Sequence, residues 1–85
     1  MQSFEYTITD SQGIHARPAG LLVKEASKFS SDIKVLFDEK SGDAKRLFSV
    51  MGLGIKCGNK ITVTIDGIDE ASAVNAMKAF FEKHL

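Results

Sequence analysis

The clearest structural pattern in the sequence runs from residue 60 to residue 66 and reads Lys60-Ile61-Thr62-Val63-Thr64-Ile65-Asp66. Apolar and polar side chains alternate throughout, and consecutive side chains of a strand point to opposite faces of a sheet. Every interior position is β-branched, which favours a pleated, half-buried surface. The stretch therefore predicts a β-strand from about Lys60 to Asp66, with one face against a hydrophobic core.

A helix is predicted directly after this strand. Apolar residues recur there at the spacing of one helix face, at Ala73, Val74, Met77 and Phe81. Asp69 or Glu70 opens the helix. Basic residues lie toward its end, where they complement the helix dipole, at Lys78, Lys83 and His84. We interpret His84 as such a helix-end charge rather than as a second acceptor of a modifying group.

Weaker patterns divide the rest of the chain. Phe4, Tyr6 and Ile8 alternate with polar residues and predict a first strand, which a loop over residues 10–13 follows. Helical spacing then extends from Ala16 to about Lys28, since a proline in the first turn costs no hydrogen bond. The remaining predicted elements are a strand over residues 32–37, a turn over 38–42, a short strand around Ala44, and a helix over Leu47–Met51 closed by Gly52 and Gly54. Helices thus recur between strands, which predicts a two-layer α+β domain with helices on one face of a small, largely antiparallel sheet.

Length and composition limit the possible functions. The chain has 85 residues, which is enough for one hydrophobic core, so residues 1–85 are expected to form a single domain. Lys plus Arg equals Asp plus Glu at 11 each, which argues against a nucleic-acid or membrane-surface partner. Cys57 is the only cysteine, so no intramolecular disulfide is possible and a cytoplasmic location is expected. Neither a secretory signal nor an apolar run of about 20 residues is present, so no membrane insertion is expected.

The chemistry-bearing residues lie around His15. This histidine follows a glycine-containing loop and precedes a helix, so its imidazole should be exposed beside the unpaired N–H groups of Ala16 and Arg17. Those groups and the Arg17 side chain would favour a phosphate. Free histidine has a pKa of about 6.5, so one ring nitrogen is free to attack at neutral pH. However, a lone histidine before a helix is more often an exposed residue or a cap, so spacing alone does not establish a phosphate site.

The segment Gly13-Ile14-His15-Ala16-Arg17-Pro18-Ala19 closely resembles the active-site motif of the HPr family, the small phosphocarriers of the bacterial phosphoenolpyruvate-dependent sugar phosphotransferase system. Residues 45–55 resemble the second signature of the family, and the resemblance covers essentially the whole chain. It implies an open-faced βαββαβα sandwich, with a four-stranded antiparallel sheet covered on one face by three helices.

The resemblance also implies a function. The Nδ1 atom of His15 would accept a phosphoryl group from Enzyme I, itself charged by phosphoenolpyruvate, and pass it to enzyme IIA domains, with Arg17 stabilising the group. The protein would then be a stoichiometric carrier, not an enzyme, and would use no cofactor and no metal. We expect a monomer.

The resemblance assigns partner docking to the first helix and the short second helix, at Gly20, Leu21, Lys24, Lys45, Arg46, Leu47, Phe48 and Met51. An apolar patch rimmed by Lys24 and Lys45 suits an acidic partner surface. Taken one by one, the apolar residues Leu47, Phe48 and Met51 are more readily explained as core. We expect a division, with Val50 and Leu53 buried and Phe48 the most exposed.

Arg46 departs from the family pattern. Many HPr proteins of low-GC Gram-positive bacteria carry at this position a serine that a dedicated kinase phosphorylates, and arginine lacks the hydroxyl group. Ser49, three residues on, has no such role in the family. We therefore expect a permanently transfer-competent surface, on which Arg46 attracts an acidic partner. The alternative is a neutral surface substitution.

The sequence is also compatible with two other functions. An HPr-like carrier of a regulatory or nitrogen-linked phosphorelay would use the same histidine with different partners. A module that binds anions or nucleic acid without covalent chemistry would use only the helix N-terminus. The zero net charge and the lack of an array of aromatic side chains for stacking argue against that module.

Overall fold

A computed structural model describes residues 1–85. The chain forms strand Gln2–Thr7 (β1), helix Ala16–Ala26 (α1), strands Asp32–Phe37 (β2) and Lys40–Asp43 (β3), helix Leu47–Met51 (α2), strand Lys60–Asp66 (β4) and helix Glu70–His84 (α3). This order confirms the predicted βαββαβα connectivity. None of the three helices combines the length and the apolar character that crossing a bilayer requires.

The four strands form one antiparallel sheet in the order β1-β4-β2-β3. β4 is central, and Val63 lies opposite Phe4 on β1 and Val35 on β2. The apolar residues of β4 are buried, while Thr62 and Thr64 between them are only half-buried. The alternation read from residues 60–66 therefore predicts both the strand and its buried face correctly.

The helices cover one face of this sheet. α3 packs on β1 and β4, α1 packs against α2 and α3, and α2 packs on β3. Phe81 of α3 is fully buried, and its ring makes edge contacts with Phe4, Tyr6 and Phe80 at centroid distances of 5.9, 5.6 and 5.9 Å. One continuous core of 20 buried apolar residues joins the helices to the sheet, so α1, α2 and α3 are held in fixed relation to one another.

The hairpin between β2 and β3 differs from the prediction. Residues 40–42 were expected to belong to a turn, but they form most of β3, and Phe37 pairs with Lys40. The turn contracts to Asp38 and Glu39, with Asp38 at a φ of 55°. Ala44, the expected centre of this strand, lies just beyond it and is buried. Polar, glycine-containing residues become a strand here because β2 supplies the hydrogen-bond partners, which outweighs their local preference.

The α1–β2 connection is fastened to the start of α3. α1 ends at Ala26 rather than near Lys28, because Lys28 and Phe29 continue in a tighter turn. The Asp69 carboxylate accepts the N–H groups of Ser30 (2.8 Å) and Ser31 (2.9 Å) and the Ser31 hydroxyl. The hydroxyl hydrogen bond, followed by the N–H bonds, lowers the pKa of Asp69 below its ordinary value.

Candidate functional site

The loop from β1 to α1 turns the His15 side chain outward. Ile14 is buried, and its N–H donates to Ile55 O at 3.1 Å. Gly13 has a φ of 68° and donates its N–H to Asp10 O at 2.9 Å. A Cβ at Gly13 would collide with Ile55 O, so glycine serves here both for its conformation and for the close approach. Since Ile14 points into the core, its neighbour His15 points toward solvent.

The first turn of α1 presents two unpaired N–H groups beside this histidine. His15 is the N-cap residue, and its carbonyl accepts the N–H of Ala19 at 3.0 Å. The His15 imidazole makes no capping hydrogen bond. Pro18 has no N–H, so the donors left free in this turn are those of Ala16 and Arg17. These are the two backbone groups that the sequence predicts for binding a phosphate.

A shallow open depression surrounds the imidazole and is lined by Asp10, His15, Arg17, Pro18, Leu21 and His84; we call it the His15 depression. The His15 side chain is 37% exposed. Arg17 is exposed and takes part in none of the ion pairs of the protein. The guanidinium of Arg17 is therefore available to an anionic group bound next to the histidine.

Asp10 also faces the imidazole, which sequence reasoning missed. Its Oδ1 atom lies 4.0 Å from Nε2 of His15 and accepts the N–H of Gln12 at 2.9 Å. An aspartate that accepts the N–H two residues on is an ordinary turn signal, and the sequence shows only that signal. The approach to His15 depends on how the loop is folded over Gly13, so spacing along the chain does not predict it.

The end of α3 forms another wall of the His15 depression. Leu85 O accepts the N–H groups of Thr9 (2.7 Å) and Asp10 (3.0 Å) and the Thr9 hydroxyl (3.0 Å). His84 lines the depression, with its ring centroid 4.7 Å from that of Phe80. The interpretation of His84 as a helix-end charge is therefore incomplete, because the tertiary fold also places it in the same depression as His15.

Three exposed apolar side chains lie on the packed pair α1 and α2, and one of them, Leu21, lines the His15 depression. Leu21 is 40% exposed, Phe48 83% and Met51 36%, whereas Val50 and Leu53 are buried. The predicted division of α2 into a buried and an exposed side is confirmed. We call the exposed surface formed by Leu21, Phe48 and Met51, where the sequence predicts partner docking, the docking face.

The other residues expected to take part in docking lie on or beside the same two helices. Gly20, Lys24 and Arg46 are exposed, and Lys45 and Leu47 are half-buried. The Lys45 ammonium donates to Phe29 O at 2.7 Å and so ties the end of α1 to the segment before α2. Arg46 is 81% exposed, with Nε 3.8 Å from Asp43 Oδ2. Of the three cations, Lys24 forms no ion pair, Arg46 is exposed and pairs loosely with Asp43, and Lys45 is bound to the backbone of Phe29.

The remaining reactive side chains do not extend this site. No three His, Cys, Asp or Glu side chains gather into a set able to hold a metal ion. Cys57 is exposed, with Sγ 3.8 Å from Thr9 O. An anion bound at His15 would therefore meet the His15 imidazole, the Arg17 guanidinium and two backbone N–H groups of α1. The Asp10 carboxylate lies near Nε2 of the ring.

Comparison with known proteins gives consistent results. The family model described as "PTS HPr component phosphorylation site" matches residues 2–83. The phosphocarrier protein HPr of Mycoplasma capricolum is 49% identical over 78 residues, which cover 92% of this chain and 88% of the relative. The chain belongs to the HPr family.

Solved structures of HPr proteins share the fold. That of the histidine-containing phosphocarrier protein of Mycoplasma matches with a TM-score of 0.94 and 45% identity, over 96% of this chain and 93% of the other. HPr of Thermoanaerobacter tengcongensis matches with a TM-score of 0.92 and 40% identity, over 98% and 93%. A dimer of that second HPr has also been solved. The open-faced sandwich expected from the resemblance is confirmed, and the phosphocarrier class follows from the family.

Proposed function

We propose that this protein accepts a phosphoryl group from phosphorylated Enzyme I on Nδ1 of His15 and passes it to an enzyme IIA domain in sugar uptake. One observation carries the proposal. A half-exposed imidazole and an unpaired guanidinium line one open depression at the start of α1, where two backbone N–H groups are free. Membership of the HPr family supports the same reading.

The chemistry needs few groups from this chain. Phosphoryl transfer passes through a loose transition state, so catalysis consists mainly of alignment and of neutralising the charge on the equatorial oxygens. The N–H groups of Ala16 and Arg17 and the Arg17 guanidinium supply donors on one side of the phosphoryl group. Because the depression is open, the donor and then the acceptor protein can reach the same histidine in turn.

The docking face supplies the contact area for both partners. Leu21, Phe48 and Met51 offer apolar surface, and Lys24 and Arg46 offer positive charge next to it. An apolar centre with a charged rim is the usual composition of a transient protein interface. Since the exposed charges of Lys24 and Arg46 at this rim are positive, the matching partner surface is acidic.

Position 46 bears on regulation. Arg46 stands at the N-cap of α2 with an exposed side chain and without a hydroxyl group, so no phosphoserine forms there. We propose that this carrier lacks the regulatory modification at this position. Incubation with an HPr kinase and ATP should leave the wild-type protein unlabelled, and the Arg46→Ser variant is the matched test. Kinase-dependent phosphate on the wild-type protein would contradict the proposal.

We further propose that residues 1–85 act as one domain in the cytoplasm and as a monomer. One continuous core, with Phe4 and Tyr6 of β1 packed against it, joins six of the seven elements, and β3 pairs with β2, which supports a single domain. A monomer keeps one docking face free for two successive partners. Analytical ultracentrifugation should give the mass of one chain, and a stable dimer that covers Phe48 would contradict this part of the proposal.

The deciding experiment is intact-protein mass spectrometry after incubation with phosphoenolpyruvate, magnesium and Enzyme I. We expect one acid-labile phosphoryl group on the wild-type protein and none on the His15→Ala variant, which should remain folded because His15 is outside the core. Label retained in the variant would move the acceptor to another residue. No label with several Enzyme I proteins would instead favour a specialised phosphorelay or non-covalent anion binding.

A further inference from the structure

We propose that Asp10 is a positioning residue for His15, an inference that rests on phosphoryl acceptance by that histidine. The Asp10 carboxylate lies on the loop side of the ring, with Oδ1 4.0 Å from Nε2. It holds the imidazole with the proton on Nε2, which leaves the electron pair of Nδ1 free.

Asp10 is held rigidly enough to orient another side chain. Its N–H donates to Leu85 O at 3.0 Å, and its carbonyl accepts the N–H of Gly13 at 2.9 Å. Its Oδ1 atom accepts the N–H of Gln12 at 2.9 Å. Backbone and carboxylate are therefore anchored to three different residues before any substrate arrives. Orientation of a reacting group by such pre-formed contacts raises the reaction rate.

The position of the carboxylate selects the tautomer of the imidazole. A neutral imidazole carries a proton on one nitrogen and an electron pair on the other, and the partner of each nitrogen decides which is which. The 4.0 Å separation is longer than a direct hydrogen bond, so the attraction acts through space or through one bridging water. In both cases the carboxylate favours a proton on Nε2. The two ring nitrogens point in diverging directions, so Nδ1 then faces away from Asp10.

The carboxylate also matches the charge that develops in the reaction. When the Nδ1 electron pair forms the bond to phosphorus, the bond between phosphorus and the donor's leaving atom breaks, and that atom keeps its electron pair. The proton stays on Nε2, so the neutral ring becomes a positively charged phosphoimidazolium. Transfer to the acceptor returns the electron pair to Nδ1 and the ring to neutrality. A fixed carboxylate next to Nε2 stabilises the charged ring, as the aspartate of a serine-protease triad does.

The groups of the depression thus divide between two tasks. Arg17 and the free N–H groups of α1 face the negatively charged phosphoryl oxygens, and Asp10 faces the positively charged ring. His84 lines the same depression from α3. Asp10 is the carboxylate among the lining residues, so it is the side chain that can serve as counter-ion to the ring.

The first test measures the rate of transfer from Enzyme I. Asp10→Ala should lower kcat about tenfold, equivalent to about 1.4 kcal/mol, while the KM for this protein stays unchanged because Asp10 lies outside the docking face. Asp10→Asn should show a smaller loss, since it keeps an oxygen for the Gln12 N–H but loses the charge. Asp66→Asn is the matched control. It removes the same charge at the end of β4 that lies away from the loop, since Lys60 at the other end pairs with Thr7 just before the loop. This control variant should transfer the phosphoryl group at the wild-type rate.

The second test measures the ¹⁵N chemical shifts of the His15 ring, which would stay unchanged in Asp10 variants if the role of Asp10 were only structural. The chain contains two histidines, so the ¹⁵N shifts of the His15 ring are readily assigned by comparison with His15→Ala. At a pH where the ring is neutral, the wild-type shifts should report a proton on Nε2. Asp10→Ala should move both nitrogen shifts toward a mixture of the two tautomers.

The outcomes separate this proposal from the one on which it rests. A wild-type protein that accepts no phosphoryl group refutes the proposed function. A labelled wild-type protein, with Asp10→Ala within twofold of its rate and unchanged ring shifts, refutes the role of Asp10 alone. Should Asp10→Ala fail to fold, Asp10→Asn decides the question, and a wild-type rate with unchanged ring shifts in that variant overturns the proposal.

Discussion

Replacement of Phe48 by alanine tests the docking face, and its effect follows from the structure. Burial of a phenylalanine side chain is worth about 1.5–3 kcal/mol. Phe48 is 83% exposed, so most of that free energy is unused in the isolated protein and is available to a partner. A partner that covers the ring should therefore lose about 1–2.5 kcal/mol of binding free energy in Phe48→Ala, which is roughly five- to seventyfold in Kd. The free energy of unfolding should change by no more than about 0.5 kcal/mol.

The assay is calorimetric binding to Enzyme I and to an enzyme IIA domain, together with transfer kinetics. Kd and the KM for this protein should rise, and kcat should stay constant because Phe48 does not line the His15 depression. Ile68→Ala is the matched control. Ile68 is 97% exposed and lies just before α3. His84, which lines the His15 depression, is at the other end of that helix, about 20 Å away along 15 residues, so Ile68 is far from the depression.

Two results would refute this reasoning. If Phe48→Ala binds both partners as tightly as the wild-type protein does, the exposed ring of α2 is not part of the interface. If Ile68→Ala weakens binding as much as Phe48→Ala, then the loss reflects general apolar surface rather than a docking site on α1 and α2.

Three further predictions concern the loop, the acid stability and the phosphate site. Gly13→Ala should lower the free energy of unfolding by about 2 kcal/mol or more in urea titrations, because a Cβ meets Ile55 O at a left-handed backbone position. Asp69 has a pKa below its ordinary value, chiefly through the Ser31 hydroxyl, so its stabilisation is complete above about pH 4 and is lost as the pH falls through the folded-state pKa. The stability difference between the wild type and Asp69→Asn should therefore shrink below about pH 4, as urea titrations at several pH values would measure. Arg17→Ala should slow phosphoryl transfer at least tenfold in stopped-flow assays and leave thermal unfolding unchanged, because Arg17 is exposed and forms no ion pair.

Each of these predictions has a result that contradicts it. A Gly13→Ala protein as stable as the wild type would mean that the loop does not need the left-handed conformation. A stability difference for Asp69→Asn that stays constant from pH 7 to pH 2 would mean that the carboxylate charge makes no contribution. Normal transfer by Arg17→Ala, or loss of stability without loss of transfer, would remove the assigned role of its guanidinium.

The sequence predicts a strand or helix well where the periodicity of its apolar residues matches the face that neighbouring elements cover. In β4 the alternation of Ile61, Val63 and Ile65 with threonines matches a sheet with one covered face. The predicted bounds of β3 were wrong. Lys40–Asp43 has no alternating pattern and becomes a strand only through pairing with β2. Local residue preference decides little for an edge strand whose neighbour supplies the hydrogen bonds.

The candidate site divides in a similar way. His15, the free N–H groups of α1 and the exposed Arg17 were predicted, because they lie within three consecutive residues at the start of a helix. Asp10 and His84 were missed as members of the site, since one approaches by a loop that reverses at Gly13 and the other from the opposite end of the chain. The functional roles of His15, Ala16, Arg17, Asp10 and His84 are predictions that phosphoryl-transfer assays test.

The sequence by itself determined the βαββαβα order, the buried face of β4, the outward histidine at a helix start and the family to which the chain belongs. These features depend on contacts within a few residues, which periodicity and short motifs describe directly. Only the tertiary structure decided that Asp10 lies behind the imidazole, that α3 closes the depression with His84 and that Lys45 is bound to Phe29 O. These contacts arise when the packed core brings chain-distant elements together, and no local pattern records the result.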